Sequence, residues 1–301
     1  MTHITSPRLI DHLVLPVAEI DDARERYSAL GFTVAPNGLH PFGTENCCIF
    51  FRDGTFLEPL GIAQRETCEE KALKGNTFVA NDQTYRFRRG LEGFSHVVLK
   101  TDDAKADHKL FGKAGILGGK MVRFSRAFQT PDGEKGRVAF HLAFASDQRS
   151  PDSPFFSCEV LNAPKVDRSA LQTHDNGVMG LKEILISEPN PTDFQYMLQT
   201  LLNQREMDAN SFGMSFHTGN CDVSVLSPEG LAGLFGVHVN RSSDDNERGM
   251  RFEAFVLAVS SLETLRAHLD AKGVEYSTHN GRVVVPPAPG QGMPILFEET
   301  N

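Results

Sequence analysis

Residues 10–17, Ile-Asp-His-Leu-Val-Leu-Pro-Val, alternate in the manner of a strand with one buried face. Asp21 and Asp22 follow as a cap, then an amphipathic stretch, Ala23–Leu30, that stops at Gly31. Three short strand-like runs come next, at 32–35, 47–51 and 55–62, with Arg52, Asp53 and Gly54 as a tight hairpin turn. The unit reads β-α-β-β-β. It returns from Phe94, with a strand over 95–100, a cap at Asp102 and Asp103, a helix over Ala104–Ala114 closed by Gly115, and strands near 120–125, 137–145 and 155–161. A long turn holding Pro131, Asp132 and Gly133 joins the second and third of these strands. A third copy starts at Gly180, with a helix from Pro191 to about Leu202 and strands near 213–218 and 221–226. The fourth starts at Arg251, with a helix over Leu262–Lys272 and strands near 274–277, 282–285 and 293–298.

Four such modules predict an α+β chain arranged as two paired-module cupped sheets. Residues 162–178 are polar and without period, so the expected domains are 8–166 and 178–301. The length of 301 residues suits two domains.

Composition changes this picture only by exclusion. A net charge of −9 argues against nucleic acid, and Arg86, Arg88 and Arg89, the one basic cluster, are expected in a solvated loop. No apolar run reaches the length of about 18 residues that spans a bilayer, and nothing at the N-terminus marks export, so no membrane partner and a cytoplasmic address are expected. The five cysteines, Cys47, Cys48, Cys68, Cys158 and Cys221, are odd in number and scattered, which favours reduced, buried thiols over a disulfide framework. The sequence leaves a homodimer open.

Superimposing the modules exposes the chemistry. The third residue of each opening strand is His12, His96, Glu183 and Ala254 in turn. The closing strands of the first two modules carry Glu58 and Glu159, where the last two offer Ser224 and either Phe297 or Glu298. In that register His12, Glu58, His96 and Glu159 point into one apolar face. Four ionisable groups there are costly unless they pair or hold a metal. Two imidazoles and two carboxylates suit Zn, Ni, Fe, Mn or Co. A lone histidine at a strand start would be a packing residue; the coincidence of four positions makes the metal reading the better one. The bland competitor is a glutamate paired with Arg52, Arg123 or Arg126.

On these residues the chain resembles the vicinal-oxygen-chelate superfamily. The stretch Asp11–Leu15, His40–Asn46 and Gly54–Glu58 is similar to the glyoxalase-like domain proteins within it. The resemblance implies paired βαβββ modules forming a cup, with a divalent metal held by His12, Glu58, His96 and Glu159. It further implies a lyase or isomerase that chelates a small oxygenated substrate, with Glu159 or Glu58 as catalytic base. The alternatives are a non-heme iron ring-cleaving dioxygenase and a non-catalytic small-molecule binder of the resistance type.

Further candidates for substrate contact are His40 and Asn46, on a glycine-containing loop, His141, on a central strand of the second module, and Arg123 and Arg126, by charge alone, for an anionic substrate group. Turn chemistry and core packing are their ordinary alternatives, and Phe124, Phe128, Phe140 and Phe156 are expected in the core. No nucleophile elbow, G-x-G-x-x-G or Walker A sequence occurs, which disfavours covalent hydrolysis and a nucleotide cofactor.

Overall fold

The computed structural model describes residues 6–129, 135–163, 166–239 and 248–300. The first module comprises β1 (Ile10–Pro16), α1 (Ile20–Ala29), β2 (Gly38–Leu39), β3 (Thr44–Asn46), β4 (Ile49–Phe50) and β5 (Phe56–Ile62). Two helices follow, α2 (Arg65–Leu73) and α3 (Thr77–Arg89). The second module is β6 (His96–Lys100), α4 (Ala104–Lys113), β7 (Val122–Gln129), β8 (Lys135–Asp147) and β9 (Ser150–Leu161). The third is β10 (Val178–Ser187), α5 (Gln195–Leu201), β11 (Asp208–Asn210), β12 (Gly213–His217) and β13 (Asp222–Leu226), with α6 (Pro228–Phe235) after it. The fourth is β14 (Arg251–Val259), α7 (Leu262–Ala271), β15 (Ser277–His279), β16 (Arg282–Val285) and β17 (Ile295–Glu299).

Two curled sheets result, in the orders β2-β3-β5-β1-β6-β9-β8-β7 and β11-β12-β13-β10-β14-β17-β16-β15, with β4 also on β5. Each module closes on itself through a parallel pair, β1 with β5 and β6 with β9 in the first half. The opening strands then join antiparallel, β1 to β6 and β10 to β14. The two modules of a half thus share one sheet whose opening strands lie side by side at its centre.

One face of each sheet is concave. In the first, Val14, Leu60, Val98, Leu142, Phe144, Phe156 and Cys158 line it, and Cys68, Phe78 and Val79 of α2 and α3 fold over them. In the second, Leu231 and Phe235 of α6 fill the matching space over Leu185, Ala254, Val256 and Leu296. The opposite faces of both sheets meet in a common core with the helices of all four modules. Phe252 packs there on Phe94 and Phe155, at centroid distances of 4.8 and 5.2 Å.

Two expectations change. Asp21 and Asp22 lie in the first turn of α1 behind Glu19, which makes no side-chain cap; Asp103 does cap α4, accepting from Ala106 N at 2.9 Å. Arg86, Arg88 and Arg89 are the last turn of α3, whose start is capped by Asn76. Arg86 is buried, donating to Asp82 and to the carbonyls of Val17, Leu60 and Leu91, so it clamps the helix rather than meeting solvent. The turn at Pro131–Gly133 lies outside the described residues. All five cysteines are free and buried. Among the described residues no helix is long and apolar enough to cross a membrane.

Candidate functional site

The centre of the first cup is where the opening strands touch. In β1 a register irregularity between Ile10 and His12 turns Ile10 toward the shared core while His12 and Val14 face the cup. Val14 pairs with Glu58 across the parallel β1–β5 ladder, so Glu58 enters the same hollow. His96 opens β6, opposite Val14. His40 and Asn46 arrive from the β2–β3 hairpin. All five side chains are buried, none more than 6 % exposed.

Each imidazole is held through Nδ1. His12 Nδ1 lies 2.7 Å from Asp11 Oδ2, and since a carboxylate only accepts, this nitrogen carries the proton. His40 Nδ1 stands 2.9 Å from Thr44 Oγ1, and His96 Nδ1 stands 2.8 Å from Ser95 Oγ. The Ser95 hydroxyl also reaches the Val14 carbonyl at 3.4 Å; donating there leaves its oxygen to accept from His96 Nδ1–H and frees Nε2 as an acceptor. Nε2 of His12 is 3.3 Å from Glu58 Oε2, and Nε2 of His40 is 3.7 Å from Glu58 Oε1. Asn46 Nδ2 donates to Glu58 Oε1 at 2.6 Å. Nε2 of His96 is buried and has no partner.

Charge follows from this wiring. Burial alone would strip His12 of its proton, but the hydrogen bonds and charges of Asp11 and Glu58 outweigh it and raise its pKa to about 9. Burial likewise opposes ionisation of Glu58, yet His12, His40 and Asn46 hold its pKa down to about 2. His40 and His96 lack such support, and burial lowers them to about 4 and about 3. At neutral pH the hollow therefore holds one ion pair and two neutral imidazoles. Rings enclose it: Phe56 stacks on His12 at 4.2 Å, Phe42 on His40 at 5.0 Å, and Phe156 stands edge-on to both His12 and His96.

The expected four-fold convergence does not form. Phe156 pairs with Val98, as Glu58 pairs with Val14, so Phe156 occupies the place assigned to Glu159. Glu159 lies three residues further on, an odd step that turns it to the other face of β9. There its Oε2 accepts from Ala104 N at the start of α4 and faces His141 Nδ1 at 3.1 Å. Arg123, His141 and Glu159 are register neighbours across β7, β8 and β9, so His141 and Arg123 also leave the cup. Their absence removes Glu159 as ligand and base, and Arg123 and His141 as substrate contacts. His12, Glu58, His96, His40 and Asn46 do come together. Sequence comparison of the modules missed Asp11, Ser95 and Thr44, although each is adjacent or four residues from its histidine.

The second cup repeats the geometry with other groups. Ser224 donates to Glu183 at 2.5 Å where Glu58 meets His12, and Ala254 and Leu296 stand at the places of His96 and Phe156. Leu296, not Phe297 or Glu298, holds that register place; Glu298, two residues further on, pairs with Lys182 and Arg282. A cavity of about 630 Å³, bordered by Val237 and Val284 of the second cup's cluster, lies where Arg89 and Phe94 meet His238, Phe252 and Tyr276.

Does a divalent cation suit the first cup? The donor chemistry fits: an unpartnered buried Nε2, a second imidazole braced by a carboxylate, and a glutamate beside that second imidazole. Among the described residues no three donors stand ready as a cage, because Glu58 is closed onto His12 and Asn46. Loading therefore requires the His12–Glu58 contact to open and His12 to give up a proton.

Comparisons with known proteins agree with this architecture. The family model described as glyoxalase-like domain matches residues 10–202. No curated protein matches the sequence. Among solved structures, a hypothetical protein from Staphylococcus aureus shares 12% identity at TM-score 0.64, covering 97% of this chain and 98% of that one. A mutant 4-hydroxymandelate synthase from Streptomyces coelicolor shares 12% identity at TM-score 0.59, with 99% and 94% covered. The Mn(II)-bound glyoxalase from Novosphingobium aromaticivorans shares 10% identity at TM-score 0.54, with 98% and 82% covered. At such identities the likeness is one of fold, and together with the family match it gives the conclusion: the chain belongs to the glyoxalase-like domain family of the vicinal-oxygen-chelate superfamily.

Proposed function

We propose that the first cup is a metal-dependent active site for a small oxygenated molecule, working by proton transfer as a lyase or isomerase. The carrying observation is that His12 and His96 stand on adjacent opening strands with their Nδ1 atoms tied elsewhere, His12 Nε2 beside Glu58 and His96 Nε2 buried without a partner. These three residues would hold the ion. When bound, a divalent cation supplies Lewis acidity toward two adjacent substrate oxygens. Asp11 and Ser95 fix the ring orientations. Asn46 holds Glu58 in place. His40, neutral and anchored by Thr44, presents Nε2 beside Glu58 and can take up a substrate proton. Phe42, Phe78, Phe124 and Phe156 exclude water and favour a flat apolar body.

Metal content of protein purified without immobilised nickel, after Mn²⁺, Ni²⁺ or Zn²⁺ is offered, tests the reading. About one ion per chain is expected in the wild type and far less in His96→Ala and Glu58→Gln. Equal retention in all three, or none in any, rejects it.

One observation favours a second reading. With Phe156 at the fourth place, two imidazoles and one carboxylate remain, a set that suits non-heme iron oxygenases. Oxygen uptake with Fe²⁺ and catechol-type compounds separates the two, since an isomerase consumes none.

A further inference from the structure

Besides the paired His12, Arg126 brings a positive charge to this cup. On β7, Val122, Phe124 and Arg126 share the concave face, and Arg123 points away. The Arg126 guanidinium lies over the Phe140 ring, 5.3 Å from its centroid, and is half-buried. Its charge reaches the site: it adds to the burial that lowers the pKa of His40, and it opposes the burial that raises those of Cys48 and Cys158. Among the described residues no carboxylate pairs with it, although the chain carries nine more acidic than basic side chains. The two acids nearest the cup centre are spoken for: Glu58 by His12 and Asn46, Asp11 by His12.

Room has also been kept for it. A methyl group on Gly38 would stand 2.6 Å from Arg126 Nη1 and 2.6 Å from Asn46 Oδ1. A glycine there lets the guanidinium lie against the hairpin that carries His40 and Asn46, at the edge of the patch that grips Glu58. The backbone at Gly38 needs no left-handed conformation, so clearance is the reason visible for the missing side chain.

We infer that Arg126 binds an anionic group of the substrate, so that the cup takes aromatic or similarly flat apolar molecules bearing a carboxylate. Planar N–H donors match a carboxylate, and the Phe140 face beneath restricts the guanidinium to a plane. The surrounding Phe42, Phe124 and Phe140 rings accept the apolar body. This inference deepens the proposed function by naming a substrate class at the same site, and it rests on the cup being that site.

The test compares benzoate, salicylate and phenylacetate with their uncharged amides by calorimetry on the full chain, first chelator-treated and then with Mn²⁺ added. Chelation removes any grip of the ion on the carboxylate, so the result does not depend on whether metal binds. Wild-type protein is expected to prefer at least one acid over its amide by about tenfold or more. Arg126→Gln should abolish that preference while leaving amide affinity in place. Gly38→Ala, which displaces the end of Arg126 together with the Asn46 amide, should weaken acid binding in the same direction. Arg123→Gln, on the outer face, should keep the wild-type preference. Acid and amide binding equally well in the wild type, a preference that survives Arg126→Gln, or no acid binding at all overturns the inference. Failure to retain metal would reject the proposed mechanism alone.

Discussion

Residues decide this cup through which nitrogen is tied and which is free. His12 is hydrogen-bonded between two carboxylates, whereas the Nδ1 atoms of His40 and His96 are braced by hydroxyls and burial prevails there, so their proton affinities diverge. A consequence for stability follows in chelator-treated protein. His40 and His96 bind protons more readily unfolded than folded, so stability rises with pH between about 4 and the unfolded value of 6.5. His12 is the reverse: its stabilisation is complete below 6.5 and is lost as pH climbs toward about 9. His217, held to about 9 by Asp208 and Asp222 at the surface, adds the same sign, weakened by water. The urea midpoint of unfolding should therefore peak near neutrality. His12→Gln should flatten the limb between pH 6.5 and 8.5, below the range where the buried thiols begin to matter, and His96→Gln should flatten the acid limb. An unchanged pH profile in either variant contradicts the assigned proton positions. At this scale the sequence was informative where the repeat is strict. His12, His96 and Glu58 occupy strand positions whose facing follows from β1–β5 pairing. Glu159 misled because the motif Ser-Cys-Glu-Val-Leu resembles Phe-Leu-Glu-Pro-Leu without sharing its register, and one odd step of chain reverses a face.

Elements outside the repeat were the least legible. The order of strands and the four module helices follow from period and glycine stops, but α2 and α3 occupy a stretch where polar residues hide a narrow apolar stripe, Phe78, Val79, Asp82 and Tyr85. An aspartate in that stripe reads as exposed until its partner is known. Arg86 Nε donates to Asp82 at 2.9 Å with both side chains buried, and its remaining donors take three backbone carbonyls at the ends of β1, β5 and α3. Arg86→Ala leaves a buried carboxylate unpaired and strands those carbonyls, a loss expected to cost about 3–5 kcal/mol. Arg86→Lys should recover only part, since an ammonium cannot span the same fork. Urea unfolding checks both. A loss below about 1 kcal/mol for the alanine variant would show that α3 is held by its apolar stripe alone. Because α3 carries Phe78 into the cup against His96, a loosened helix should also weaken ligand binding there.

At the scale of the molecule, two sheets that look like separate domains along the chain share one core. The linker brings Thr173, His174 and Asn176 back onto the first half, where His174 accepts from Thr33 N and lies against Phe50 O, and Asn176 donates to Leu30 O. Arg8 N of the first half donates to the Leu202 carbonyl of the second at 2.8 Å, and Asn220 of the second bonds both backbone groups of Ile10. Phe252 stands at the seam, stacked on Phe94 two residues before His96 and edge-on to Phe155 beside Phe156. Unfolding the second half would expose the back of the sheet that positions the cup. The halves should therefore open as one cooperative unit, and Phe252→Ala, which removes a buried ring from the second half, should destabilise by about 3–5 kcal/mol overall. Hydrogen exchange followed by mass spectrometry reads the halves separately. Protection of β1 and β6 should fall as far as that of β14, although the substitution lies outside their sheet. Loss confined to β10–β17 would mean that the seam transmits nothing, and that the first cup is assembled by its own two modules without the second half.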